Sequence, residues 1–154
     1  MGAMDVSIDA VRVAGTPDGP VPVVLLAPEP DSESVLPIFI GFDEAISIAR
    51  GLDAEGIGRP LTHDLLLDVV EELGGRVERV EVSEIVDSTY IADLHLNTPR
   101  GEDVVVDARP SDSVALAART GAPLTCDDDV FADGERPREE FDDLEDIREV
   151  VELV

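Results

Sequence analysis

The sequence predicts an α+β fold: a mixed or antiparallel sheet made from a duplicated β-β-β-α unit, helices packed on it, and an acidic C-terminal helix. Three observations lead there. Short apolar runs come in groups of three before a helical segment, not in strand–helix alternation, which speaks against a doubly wound parallel sheet. The pattern occurs twice: Leu36 to Arg50 and Val104 to Arg119 share a strand, a turn, an acid in the next helix's first turn, and a small apolar helix. The length of 154 residues suits one domain around one core.

The first strand runs from Val6 to Val13, alternating through Ile8 and Ala10 and resuming at Val11, which marks one slip or bulge. Thr16-Pro17-Asp18-Gly19-Pro20 ends it. Val21 to Ala27 and Leu36 to Ile40 form a hairpin with a long connection through Pro28, Pro30 and an acidic loop. Asp43 is placed to cap a helix from about Glu44 to Leu52, followed by a Gly-rich loop over 53–58. Thr62 is placed as the N-cap of a second helix, with Asp64 in its first turn, Leu65, Leu66, Val69, Val70 and Leu73 along one side, and Gly74-Gly75 as its stop. Three more strands follow, from Val77, from Tyr90 to Leu96, and from Asp103 to Ala108 after the turn Thr98-Pro99-Arg100-Gly101. Ser111 then caps a helix from Asp112 to Arg119 that stops at Gly121.

From Asp127 the chain turns strongly acidic, yet Phe141, Leu144, Ile147, Val151 and Val154 recur at steps of three or four. Residues 131–154 are therefore expected to form a helical acidic tail beyond a domain spanning 5–130. Met1 to Ala3 are set aside as a cloning remnant before a native Met4.

Charge is the dominant compositional feature: 36 acidic residues face 11 basic ones, all arginine, for a net charge of -25. Such an excess repels itself in dilute buffer and is tolerated in molar salt, where the Debye length falls to about 3 Å. The acids are spread over nearly every loop and helix face, which favours a halophilic protein in a salt-loaded cytoplasm over one shaped to bind basic partners. The chain is 44% hydrophobic but only 3% aromatic, so Val, Ile, Leu and Ala must build the core and stacking platforms are scarce. The single cysteine, Cys126, excludes an internal disulfide framework and reads as a small apolar filler. No run reaches the roughly 20 apolar residues of a membrane span, and no secretory signal pattern opens the chain. The exposed strand edges of such an aliphatic domain point to a homo-dimer or higher oligomer.

Two segments stand out chemically: Arg59-Pro60-Leu61-Thr62-His63-Asp64 and Val106-Asp107-Ala108-Arg109-Pro110-Ser111-Asp112. Together with Leu36-Pro37-Ile38-Phe39-Ile40-Gly41, Glu44-Ala45 and the spacing between them, they resemble the bifunctional nuclease domain, from about Asp5 to Val130. With the charge balance, the resemblance is to a halophilic, archaeal-type member. It implies a nuclease that hydrolyses phosphodiester bonds of both DNA and RNA.

Phosphodiester hydrolysis needs a grip on the phosphate, a base or metal-bound water, and positive charge for the developing negative charge. Arg109 precedes a helix start, where free N–H groups favour an anion and a guanidinium binds phosphate bidentately; Ser111 and Arg59 are further candidates for that contact. The competing role of Arg109 is an ion pair to Asp112, Asp107 or Asp64. His63 is the candidate general base or acid with Asp64 beside it, or else an anchor for the turn. For Mg2+ or Mn2+ the candidate ligands are Asp107, Asp112 and Glu44, since hard cations take oxygen donors. Glu44, Asp64 and Asp112 also fall in helix first turns, where the dipole alone favours an acid by about 0.3–1 kcal/mol. Asp107 differs: on an alternating strand it shares a face with Val105, opposite Asp93 and His95. The 11 arginines make no basic stripe. That leaves a second reading, a non-catalytic binding or regulatory module whose R-P motifs are structural clamps.

Overall fold

The computed structural model describes residues 2–53 and 59–151; the loop expected over 53–58 therefore lies, past Asp53, outside the described residues. In chain order these are β1 (Ala3–Thr16), β2 (Gly19–Ala27), β3 (Ser34–Phe39), α1 (Phe42–Asp53), α2 (Thr62–Glu72), β4 (Arg76–Val86), β5 (Thr89–Asn97), β6 (Asp103–Ala108) and α3 (Pro110–Thr120). After them come β7 (Leu124–Asp127), α4 (Asp128–Gly134), β8 (Arg136–Pro137), a 3-10 turn at Arg138–Glu140, β9 (Glu145–Asp146) and α5 (Ile147–Val150).

One sheet runs in the order β6-β5-β4-β7-β1-β2-β3-β8, with β9 paired to β1. The two triplets thus stand either side of β7 in mirrored order, as a duplicated β-β-β-α unit requires. Pairing is antiparallel except where β7 meets β4. The slip expected in β1 is present, between Ile8 and Ala10. The strand begins earlier than expected, since Ala3 and Met4 pair with Asp127 and Cys126 of β7.

The main core lies between the sheet and α1, α2 and α3, and is aliphatic as the composition demands: Val24, Leu26, Leu36, Ile48, Val80 and Val114 are all fully buried. Each such side chain contributes about 1.5–3 kcal/mol of transfer free energy. Small residues let α1 and α3 approach closely; a Cβ on Gly51 would stand 3.0 Å from that of Ala118.

Helix starts differ from expectation by one or two residues. Leu61 is the cap of α2 and Arg109 that of α3, so Thr62 and Ser111 lie inside the first turns, and Asp43 lies within α1 rather than capping it. The start of α2 is held by the carboxylate of Asp64, which accepts from the Leu61 N–H at 2.9 Å. Pro110 opens α3, where a missing N–H costs nothing.

The apolar stripe expected along one side of α2 is, apart from Val70, not its inward face. Leu65, Leu66, Val69 and Leu73 are exposed, and Leu67 is the buried residue. His63, Leu67 and Val70 share a helix face; the polar contacts of His63 and Asp64 turn that face inward and leave the aliphatic stripe outside.

The tail is likewise not one helix. Asp127 caps the short α4 by accepting from the N–H groups of Asp129 and Val130. Beyond it, Phe141 and Leu144 pack over Val23, Leu25, Ala27 and Val35 on the back of β2 and β3. Ile147 enters the main core. Arg138 fixes this path, donating bidentately to Asp9 at 2.6 and 3.0 Å. With both faces covered, β2 reads as an unbroken apolar run. On the matching back face of β6, Val105 and Asp107 are exposed.

Candidate functional site

Three helices converge where α1 meets the first turns of α2 and α3. Ser47 of α1 and Asp112 of α3 hold the His63 ring from opposite sides: Oγ of Ser47 is 2.6 Å from Nδ1, and Oδ1 of Asp112 is 2.9 Å from Nε2. Arg119 donates from Nη2 to Ser47 Oγ at 3.0 Å. In the neutral ring the Ser47 hydroxyl then donates to Nδ1, and the proton on Nε2 goes to Asp112.

Arg109 grips Asp112 through Nε at 2.8 Å and Nη2 at 3.1 Å, and reaches Glu44 through Nη1 at 3.4 Å. Gly41 leaves room for this Glu44 carboxylate, since a Cβ there would overlap it. Behind the ring, Arg119 donates to Asp64 at 2.7 Å and to the carbonyls of Ser47 and Ala115, both at 3.0 Å.

These residues border two open clefts. One, of about 410 Å³, is lined by Asp43, Ser47, Thr62, His63, Arg109 and Asp112 among others. The second, of about 530 Å³, includes Phe39, Ile40, Tyr90, Pro110 and Ser111. Glu44 and Arg109 line both. Exposure is graded across the site: the side chain of His63 is 12% exposed, that of Asp112 34% and that of Arg109 66%. A shielded imidazole therefore lies behind an accessible guanidinium.

Burial pushes the Asp112 carboxyl up, but the hydrogen bonds from Arg109 and His63 outweigh it and hold it below the usual carboxylate range. Burial acts the same way on Asp64, and Arg119 with the Leu61 N–H again wins. Asp112, followed by Glu44, raises the already high Arg109. Both carboxylates are thus ionised near neutrality. Cys126 is pushed up to about 12 by burial, which fits an inert filler.

Of the residues anticipated from the sequence, the fold brings His63, Arg109, Asp112 and Glu44 together, with Asp64 directly behind and Ser111 buried beside the second cleft. Arg59 is exposed and lines neither cleft. Asp107 lies on the other face of the sheet, opposite Asp93 as the register requires. His95 on that face contacts Asp103 at 3.5 Å. For a divalent cation, Glu44 and Asp112 supply suitable oxygen donors, Asp107 does not join them, and the Arg109 guanidinium bridges the two. Among the described residues no three His, Cys, Asp or Glu side chains gather as a metal site.

The sequence did not single out Ser47 or Arg119. The available clue was the small pair Ser47 and Gly51, four apart on α1, which marks a face for a closely packed helix and so a partner on α3.

Residues 23–139 match the family model described as the bifunctional nuclease domain. An uncharacterized protein of Mycobacterium tuberculosis is 38% identical over 130 residues, which cover 83% of this chain and 74% of the relative. Bifunctional nuclease 2 of Oryza sativa subsp. japonica is 26% identical over 107 residues, 68% of this chain and 33% of that protein. Bifunctional nuclease 2 of Arabidopsis thaliana is 27% identical over 107 residues, 68% of this chain and 32% of its own. The chain thus spans about a third of these plant relatives.

Proposed function

Because the chain belongs to the bifunctional nuclease domain family, we propose that it is a nuclease hydrolysing phosphodiester bonds of DNA and RNA in the salt-rich cytoplasm of a halophile. The observation that carries this reading is His63, shielded between Ser47 and Asp112 at the wall of a cleft whose rim is the exposed Arg109. In it, Arg109 turns from Asp112 and Glu44 to take a phosphate bidentately. Water then attacks the phosphorus as an ester P–O bond breaks; its proton passes by way of the Ser47 hydroxyl to Nδ1 of His63, Asp112 steadies the imidazolium at Nε2, and the leaving oxygen takes a proton from solvent. Mg2+ or Mn2+ enters the same proposal through Glu44 and Asp112, the oxygen donors that Arg109 would release; bound there, the cation would act as a Lewis acid.

The test is cleavage of labelled single-stranded DNA and RNA in molar KCl, with Mg2+, Mn2+ or EDTA, by wild type, Arg109→Ala and His63→Ala purified identically. Losing proton transfer at His63 is expected to lower the rate by about 10²–10⁴-fold. Equal cleavage by all three proteins would move the activity elsewhere or assign it to a contaminant. Absence of cleavage throughout would favour a non-catalytic binding or regulatory module. One observation supports that second reading: Arg109 and Arg119 are already paired, to Asp112 and Glu44 and to Asp64 respectively.

Self-association belongs to the same proposal. β6 is a sheet edge with Val104, Val105 and Val106 all exposed, and in this reading it pairs with β6 of a second copy. Sedimentation velocity in molar KCl is expected to show a dimer for wild type and a monomer for Val105→Lys.

A further inference from the structure

We infer that the cleft holding Phe39 and Tyr90 is a base-stacking subsite, which makes unpaired nucleic acid the substrate class. The inference rests on the nuclease reading above and adds the part of the ligand beyond the phosphate. The chain has only four phenylalanines and one tyrosine. Phe131 and Phe141 are buried and both Phe42 and Tyr90 pack against the core, whereas Phe39 is 56% exposed. It ends β3 at the mouth of the 530 Å³ cleft, where Tyr90 is a second lining residue. So Phe39, the exposed ring among the five aromatic side chains, lines the cleft that adjoins the His63 cleft across Arg109 and Glu44, with the half-buried Tyr90 also in its wall.

The local chain is shaped to hold Tyr90 in the cleft wall. Asp87 and Ser88 both adopt left-handed backbone, φ 51° and 66°, so that the β4–β5 turn folds tightly and brings Ser88, Thr89 and Tyr90 to the cleft wall. Tyr90 is anchored in that wall, its hydroxyl against Gly134, where a Cβ would overlap it, and its ring on the core, so the free stacking face is that of Phe39.

The energetic argument comes from charge. Nucleic-acid binding ordinarily draws on phosphate contacts whose strength falls steeply with salt. A protein of net charge -25, tuned to molar salt, can draw little from that source. Stacking on an aromatic face survives salt and contributes about 1–3 kcal/mol per base, or roughly 5–150-fold in affinity. Arg109 and Phe39 line the same cleft, so a strand whose phosphate is held by Arg109 can lay a neighbouring base on Phe39. Bases inside a duplex are already stacked on one another, so only single strands, loops or frayed ends offer a free face.

The experiment compares binding of a phosphorothioate oligothymidylate, which resists cleavage, with that of a phosphorothioate abasic strand of equal length, in molar KCl. Wild type is expected to prefer the base-bearing strand. Phe39→Ala is expected to lose about 5–150-fold on that strand and nothing on the abasic one, and Phe39→Trp to restore the preference. Arg109→Ala is expected to weaken both strands alike. Circular dichroism and melting of Phe39→Ala check that the fold is unchanged, as the exposure of the side chain predicts. If wild type cleaves and binds but Phe39→Ala matches it on both strands, or loses both equally, the stacking subsite is wrong while the nuclease reading stands. If wild type neither cleaves nor binds either strand, both fall.

Discussion

With its side chain 8% exposed, Arg119 donates to Asp64, to Ser47 twice and to the Ala115 carbonyl, so removing it strands several acceptors at once. Breaking a buried charged pair costs about 3–5 kcal/mol. Asp64 remains 35% exposed, and water that reaches it reduces the expected cost of Arg119→Met to about 2 kcal/mol, measured by urea unfolding in molar KCl. The same contacts set the acid response. Asp64 and Asp112 are both held below the usual carboxylate range in the folded state, so their stabilisation is present above that range and disappears as pH falls through the lower folded values. Melting temperature is expected to drop below about pH 4, and less steeply for Asp64→Asn. Residue by residue, His63, Arg109 and Asp112 were legible because each belongs to a motif at a helix start. Ser47 and Arg119 were not, because their roles depend on how closely α1 and α3 approach. Asp107 shows a different limit: alternation gave its face of the strand correctly but not which side of the sheet carried the cleft.

At the scale of elements, α2 separates what periodicity can and cannot decide. It carries apolar residues on two faces, and nothing in the spacing selects between them. His63 and Asp64 select, through Asp112 and Arg119. Leu67→Ala is therefore expected to cost about 2–3 kcal/mol, the low end for a truncated core leucine. Leu65→Ala, at a position 59% exposed, is expected to stay within about 0.5 kcal/mol of wild type. Paired urea melts check both, and the reverse order would mean that α2 is rotated from the orientation described. Although β7, which joins the halves, and the short β8 and β9 were not anticipated, the three strands of each half were far more legible than this helix. Their alternation, the β1 slip and the repeated triplet all follow from a side-chain period of two, which a neighbouring element cannot change. The tail misled for the opposite reason: steps of three and four also arise when an irregular chain drops one apolar anchor at a time onto a sheet.

For the whole molecule, the proposed salt adaptation rests on the net charge of -25. The acidic residues lie on nearly every element, so raising KCl from about 0.1 to 2 M is expected to raise the melting temperature steadily as self-repulsion is screened. A protein indifferent to salt over that range would remove the halophilic reading. Cover is distributed less evenly than charge. Phe141 and Leu144 roof the back of β2 and β3, while β6 is an edge strand whose three valines meet solvent. Two units with the same chain order should therefore differ in how readily they open. In deuterium exchange of the monomeric Val105→Lys protein the amides of β2 should be among the last to exchange and those of β6 among the first, so that a pulse of D2O would show two matching halves exchanging at different rates; in the proposed dimer, pairing of β6 with its copy would slow its amides.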